Sequence, residues 1–282
     1  MKPSISILGL GTMGRPMARV LIDAGFQVRG WNRSILPENM TAGIQLCQKL
    51  EEAARADVCL LMLLDSIAVE AVLEQLTPHL SAGRIILDMG SSDPGQSRKI
   101  AAGLAAKGIG WVDAPVSGGP EGAAKGTLAI MAGGTENDFS RVKPILDALG
   151  GNVAHVGGPG FGHTVKVINQ LIVGLTIETV AEALTLAEKS GVDPRMVQQA
   201  LKGGFADSKI LQLHGSRMAD RSYVPGAKAT IQLKDLKLAG ALASEAATEL
   251  PHLASTMALY EKLIARGDGD LDHSAIHKLL WD

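Results

Sequence analysis

Short apolar runs recur along the first half of the chain, each ending near Gly, Asp or Asn and each followed by an alanine-rich stretch. Ser4–Leu8, Gln27–Trp31, Asp57–Leu63, Arg84–Asp88 and Gly110–Asp113 are short and mostly apolar, as strands covered on both faces are. Between them Met13–Ala24, Ala68–Leu76 and Gln96–Lys107 read as helices. Strand–helix alternation at this spacing predicts an α/β domain with a parallel, doubly wound sheet.

The second half changes character. From Val165 to Ser190 there is no proline and a single glycine, Gly174, while Val167, Ile168, Leu171, Ile172, Ile177, Val180 and Leu184 fall on nearly every face. A long helix of that kind is buried in a helical assembly or a subunit interface. Pro194–Lys202, Ser208–Met218, Thr230–Ser244, Pro251–Arg266 and Asp272–Leu280 continue the helical pattern. The expected organisation is an α/β domain over residues 1–162 and an all-α domain over 163–282, divided near Gly157-Gly158-Pro159-Gly160.

Composition narrows the function. The 282 residues are 46% hydrophobic, enough for two cores, and the net charge of −2 gives no basic field for nucleic acid. Cys47 and Cys59 read as free thiols of a reducing compartment, and MKPSISILGLG as a strand and turn, not a signal peptide. Val58–Leu64, the longest apolar run, is too short to span a bilayer. The expectation is a cytoplasmic protein with no membrane or nucleic-acid partner.

Gly9-Leu10-Gly11-Thr12-Met13-Gly14 follows the first strand and opens the first helix. In that setting the first Gly permits a tight turn, the second lets backbone approach a pyrophosphate, and the third lets the helix pack on its strand. The helix N-terminus then faces the phosphates, so the domain reads as a Rossmann-type dinucleotide-binding unit. At the end of the second strand an NAD site places a carboxylate for the ribose hydroxyls. Here the residues are Trp31-Asn32-Arg33-Ser34: no carboxylate, one guanidinium and two small polar groups suited to a 2′-phosphate. NADP is therefore the expected cofactor and NAD the alternative.

Gly9–Gly14, Asp113-Ala114-Pro115-Val116-Ser117-Gly118-Gly119, the block from Gly160 through Gly162 and Lys166 to Asn169, and Lys234-Asp235-Leu236 occur in this order across essentially the whole chain. Together they resemble the β-hydroxyacid dehydrogenases. Asn169-Gln170, Gly203-Gly204-Phe205-Ala206 and Asp272-His273-Ser274-Ala275 make the chain most similar, within that family, to the tartronate semialdehyde reductases. Two departures stand out. The family's Met-Leu-Pro after the third strand is Met62-Leu63-Leu64 here, and its Ser-Thr after the fourth is Gly90-Ser91.

Lys166, Asn169 and Gln170 lie at i, i+3 and i+4 and share one helix face, with Gly162 one turn earlier expected to leave room beside them. On spacing alone Lys166 suits either a snorkelling surface lysine or a proton donor; the resemblance implies the second. A lysine with its ordinary pKa near 10.4 is an ammonium at neutral pH and can protonate a developing alkoxide, which favours the reductive direction. Ser117-Gly118-Gly119 follows the fifth strand and suits a plain turn or, through successive amides, a substrate carboxylate. The resemblance implies a substrate role for Asn169 and Gln170 and cofactor contacts for Leu63, Leu64, Ser91 and Lys234. Asp235 is expected as a local hydrogen-bond partner, and Phe205 and Ile231 as pocket wall or core. His273 and His277, four apart, read as a solvated terminal helix with no third ligand, so no metal is expected.

The resulting expectation is an NADP-dependent reductase or dehydrogenase of a small semialdehyde or hydroxy acid, forming a homodimer or homotetramer. The alternatives are 3-hydroxyisobutyrate, succinic semialdehyde or glyoxylic semialdehyde as substrate. A non-catalytic NADP-binding protein is a different class; Ser117, Lys166, Asn169 and Lys234 occurring together argue against it.

Overall fold

A computed structural model describes residues 2–281, and its contacts divide the chain after Lys166 into two units. In the first, the elements run β1 (Ile5–Leu8), α1 (Gly14–Asp23), β2 (Val28–Trp31), α2 (Glu38–Thr41), β3 (Gln45–Leu46), β4 (Val58–Leu61), α3 (Ser66–Leu76), β5 (Ile85–Asp88) and α4 (Pro94–Ala105). They continue with β6 (Gly110–Asp113), β7 (Val116–Ser117), α5 (Gly119–Lys125), β8 (Leu128–Gly134), α6 (Glu136–Leu149) and β9 (Gly150–Gly157).

Every residue of β1, β4 and β5 is buried. The reason is the two-residue side-chain period acting on a sheet with helices on both faces. Ile5, Ile7, Val58, Leu60, Ile85 and Leu87 join one core with Met17 and Leu21 of α1 and Val142 and Leu146 of α6. Leu8, Cys59, Leu61 and Ile86 point the other way, into a core with Val69 and Leu73 of α3 and Leu104 of α4.

The order β3-β2-β1-β4-β5-β6 is parallel throughout and reverses direction between β1 and β4, the Rossmann switch point. The expectation of a wholly parallel sheet needs one correction. β6 and β7 both pair antiparallel with β8, in one continuous register (Asp113 with Gly133, Val116 with Ile130), and β9 then pairs parallel with β8. Leu128–Gly134, sequence LAIMAGG, carries one β-branched residue and two glycines, so its propensity hid it; pairing and burial make it a strand.

In the second unit α7 (Phe161–Lys189), which begins in the first, is followed by α8 (Pro194–Leu201), α9 (Lys209–Ala219), α10 (Ala229–Glu245) and α11 (Leu253–Ala265). A 3₁₀ turn (His273–His277) and α12 (Lys278–Trp281) complete it. Its core joins Ile177, Ala181 and Leu184 of α7 to Leu233 and Leu236 of α10, Tyr260 and Leu263 of α11, and Ile276. The terminal segment differs from the single solvated helix expected. Asp272 caps a 3₁₀ turn through the Ser274 amide, and His273 and His277 are 6% and 2% exposed. Burial pushes the His277 imidazole down to about 4, so it is neutral inside the fold.

Candidate active site

The glycine turn is set by close approach. Gly9 has φ +103°, and a Cβ there would lie 2.3 Å from the Met62 carbonyl oxygen; a Cβ on Gly14 would lie 1.9 Å from that of Gly9. Nothing lies within 4 Å of a Cβ built on Gly11, so the turn keeps one open side. That opening sits before α1, which has no side-chain cap; the Arg15 amide donates to the Gly11 carbonyl and Pro16 carries no N–H, so the helix start offers the opening the Gly14 amide. Open backbone before an uncapped helix N-terminus fits the pyrophosphate of a dinucleotide.

The second-strand loop is tied to this turn. Asn32 Oδ1 accepts from the Leu10 amide at 3.0 Å while Asn32 Nδ2 donates to the Ser34 carbonyl at 2.9 Å. Asn32 therefore braces two loops, Leu10 is buried in the core, and the exposed residues beside them are Arg33 and Ser34, with Thr12 exposed and Met13 half-buried on the turn.

The loops after β4 and β5 meet the same edge. Leu63 Cδ2 lies 3.2 Å from the Gly9 Cβ position, and the Leu63 carbonyl oxygen 2.7 Å from that of Gly90. Gly90, where the family carries serine, is thus demanded by the path of the 62–64 loop. Leu64 is 62% exposed and Ser91 half-buried.

A buried charged cluster lies beneath Lys166 in sequence. Asp113, at the end of β6, accepts from the Gly160 amide (2.7 Å, Oδ1) and the His163 amide (2.9 Å, Oδ2), the N–H groups at the start of α7. His163 is fully buried, with Nδ1 2.6 Å from Ser97 Oγ and Nε2 3.6 Å from Asp88 Oδ2. Burial pushes the Asp113 carboxyl above its ordinary range, against the opposing pull of His163 and the amides. Gly162 serves this docking, and the room expected around it is filled: a Cβ would lie 2.3 Å from the Asp113 carbonyl oxygen and 2.4 Å from that of Met131. Lys166, one turn on, is 9% exposed.

Asp113 thus anchors the turn that carries Lys166. Asp113→Asn would turn an NH₂ group toward one of two donors, and we expect about 1–3 kcal/mol lost in stability, read as a lower melting temperature, with a lower kcat. An unchanged melt and kcat would show that the cap is dispensable. The motif around Asp113 is plain in the sequence; that its carboxylate caps a helix 47 residues away is a property of the fold.

Ser117 lies on β7, half-buried, and Gly118 and Gly119 follow at φ +136° and +64°, where α5 begins. That backbone is open to glycine and turns successive amides out of the strand direction.

In the helical unit Asp235 gathers the remaining candidates. Its Oδ2 accepts from Gln170 Nε2 at 2.7 Å, its Oδ1 lies 3.1 Å from Lys234 Nζ, and Gln170 Oε1 accepts from Asn169 Nδ2 at 2.8 Å. Asp235 is 2% exposed, a buried partner to Gln170 on α7 and Lys234 on α10. Phe205 is fully exposed and Ile231 half-buried, so Phe205 walls no pocket within its unit. A cavity of about 490 Å³ in this unit, lined by Glu188, Arg195, Asp220, Arg221 and His277 among others, contains none of the sequence-predicted site residues.

Residues 4–157 match the family model for the NAD binding domain of 6-phosphogluconate dehydrogenase, and residues 160–280 the model for NAD-binding of NADP-dependent 3-hydroxyisobutyrate dehydrogenase. The chain is 41% identical to 2-hydroxy-3-oxopropionate reductase of Escherichia coli (strain K12), over 98% of this chain and 96% of that one. It is 35% identical to 2-(hydroxymethyl)glutarate dehydrogenase of Eubacterium barkeri, over 99% and 94% respectively. Among solved structures, the 3-hydroxyisobutyrate dehydrogenase of Mycobacterium tuberculosis with L-serine superposes with a TM-score of 0.90, at 29% identity and full coverage of both chains.

Proposed function

The chain belongs to the β-hydroxyacid dehydrogenase family of NAD(P)-dependent oxidoreductases, and from that premise we propose that it reduces a small semialdehyde acid of the tartronate semialdehyde type with NADPH. The observation that carries this reading is Lys166: an amine 9% exposed, on a docked helix that also presents Asn169 and Gln170.

A bound nicotinamide supplies the hydride. The rest is work for this chain. Gly9–Gly14 and the N-terminus of α1 hold the pyrophosphate, and Arg33 with Ser34 holds the 2′-phosphate. Leu63, Leu64, Ser91 and Lys234 contact the rest of the cofactor. Ser117 and the amides of Gly118 and Gly119 take the substrate carboxylate, and Asn169 and Gln170 orient the aldehyde. Lys166 Nζ gives its proton to the carbonyl oxygen as charge develops there. The name of the Escherichia coli relative supports the substrate, and the absence of a carboxylate in Trp31–Ser34 supports NADP. Ile168, Ile172 and Leu186 of α7 are 46%, 59% and 69% exposed, an apolar face suited to burial against a second copy in a homodimer or homotetramer.

The test is oxidation of NADPH and of NADH with tartronate semialdehyde, by the absorbance of the reduced nicotinamide. NADPH should give the higher kcat/KM, and Arg33→Asp should lower the NADPH value about tenfold and reverse the preference, since a carboxylate repels the phosphate. Preference for NADH in the unmodified protein would overturn the cofactor assignment and leave the substrate reading standing.

A further inference from the structure

Outside the site, the helical unit holds a continuous buried run of hydrogen bonds that ends on it. Asp272, fully buried, accepts from Arg217, the amides of Gly226, Ala227 and Ser274, and Ser274 Oγ. His214 Nδ1 lies 3.4 Å from both Arg217 Nη1 and Asp272 Oδ1. His214 Nε2 faces His273 Nε2 at 3.3 Å, and His273 Nδ1 faces Gln232 Oε1 at 3.1 Å. Gln232 Nε2 then donates to the Gln170 carbonyl at 3.0 Å. His214, Asp272 and His273 offer ligand atoms within 4.8 Å of one another, but a cation there would sit against the Arg217 guanidinium and compete with five donors for Asp272. The cluster is built for hydrogen bonds.

The chemistry of the groups fixes the directions from His273 to Gln170 and at Asp235. A carbonyl only accepts, so the Gln232 atom on Gln170 is nitrogen and the one on His273 is oxygen. His273 Nδ1 must then carry a proton and donate to Gln232, and one of the two facing Nε2 atoms donates to the other. At the other end Asp235 only accepts, so Gln170 turns Nε2 toward it and Oε1 toward Asn169. Gly174 makes the junction close: a Cβ there would lie 2.7 Å from Gln232 Nε2 and 3.0 Å from Leu236 Cδ2. Gly174 therefore marks where α10 presses onto α7.

We propose that His273, through Gln232 and backed by His214, is a positioning residue for the reduction: it holds α10 against α7 and so fixes Gln170, Asn169 and Asp235 for the substrate. The claim rests on the reading of Asn169 and Gln170 as substrate contacts. Packing alone does not call for a hydrogen-bond chain of this length in an apolar core, because each member left unsatisfied costs about 1–3 kcal/mol.

The two amide replacements of His273 separate the roles. His273→Asn can put an N–H where Nδ1 was and keep the bond to Gln232; His273→Gln reaches the Nε2 position and keeps only His214. With tartronate semialdehyde and NADPH, His273→Gln should lower kcat about tenfold, His273→Asn by no more than about threefold, with the same loss of melting temperature in both and NADPH affinity unchanged. Gln232→Glu, which accepts from His273 but cannot donate to Gln170, should match His273→Gln. Equal kcat in the two His273 variants would overturn the relay, whether both stay high or both fall with their melting temperatures. Asn169→Ala, assayed alongside, separates the premises: its loss of turnover beside an active His273→Gln sinks the relay alone, whereas unchanged turnover in Asn169→Ala sinks the site reading beneath it.

Discussion

Lys166→Ala is expected to lower kcat by about three orders of magnitude, within the usual range for a lost general acid, while the KM for NADPH stays within about twofold. The cofactor contacts assigned to the first unit do not include the amine, so binding survives where proton transfer fails. Lys166→Arg should be nearly as slow. A guanidinium keeps the charge but holds its proton at any working pH, and its planar fork does not occupy the place of a point ammonium. The pH dependence gives the sign. Reduction uses the ammonium, so kcat should hold through neutral pH and fall as the amine deprotonates. Oxidation of the hydroxy acid uses the free amine, so its rate should rise with pH over the same interval. Both limbs should vanish in Lys166→Ala. Full turnover in that variant, with an unchanged melt, would remove Lys166 from the chemistry.

How far the molecule was legible in its sequence depended on the range of the forces involved. Five strands of the parallel run, β1, β2, β4, β5 and β6, and the long helix could be read because burial on two faces writes continuous apolar runs, and residues such as Ile5, Leu60 and Ile86 have no alternative to the core. β3, β7, β8 and β9 could not. Leu128–Gly134 is a strand because β6 and β7 pair along it, a fact carried by partners and not by its own small residues. The terminal histidines were misplaced for a related reason. Asp272 caps a 3₁₀ turn, and that turn carries His273 and His277 inward where α-helical spacing suggested a solvated surface. At the site, the glycine turn was readable because its demands are local. The Asp113 cap, the Asp235 junction and the His273–Gln232 chain join residues 47, 65 and 41 positions apart and needed the fold.

The glycine turn also supplies the sharpest test of cofactor binding, because two of its glycines are glycine for different reasons. A Cβ on Gly14 would stand 1.9 Å from the Gly9 carbonyl oxygen, so Gly14→Ala must push the turn off α1 in the protein itself. It should cost about 1–3 kcal/mol of stability, as overpacking does, and weaken NADPH as a consequence. Gly11 has no such neighbour: a methyl group there meets nothing within 4 Å and needs no unusual backbone angle. Gly11→Ala should therefore melt with the unmodified protein yet bind NADPH about a hundredfold more weakly. The methyl group would occupy the space in which a pyrophosphate approaches the backbone, and charge-assisted bonds to those amides are each worth about 1.5–3 kcal/mol. Isothermal titration with NADPH and thermal melts of both variants separate the cases. Should Gly11→Ala bind NADPH as tightly as the unmodified chain, the open side of the turn is not where the phosphates lie, and the cofactor must be held from another edge of the sheet.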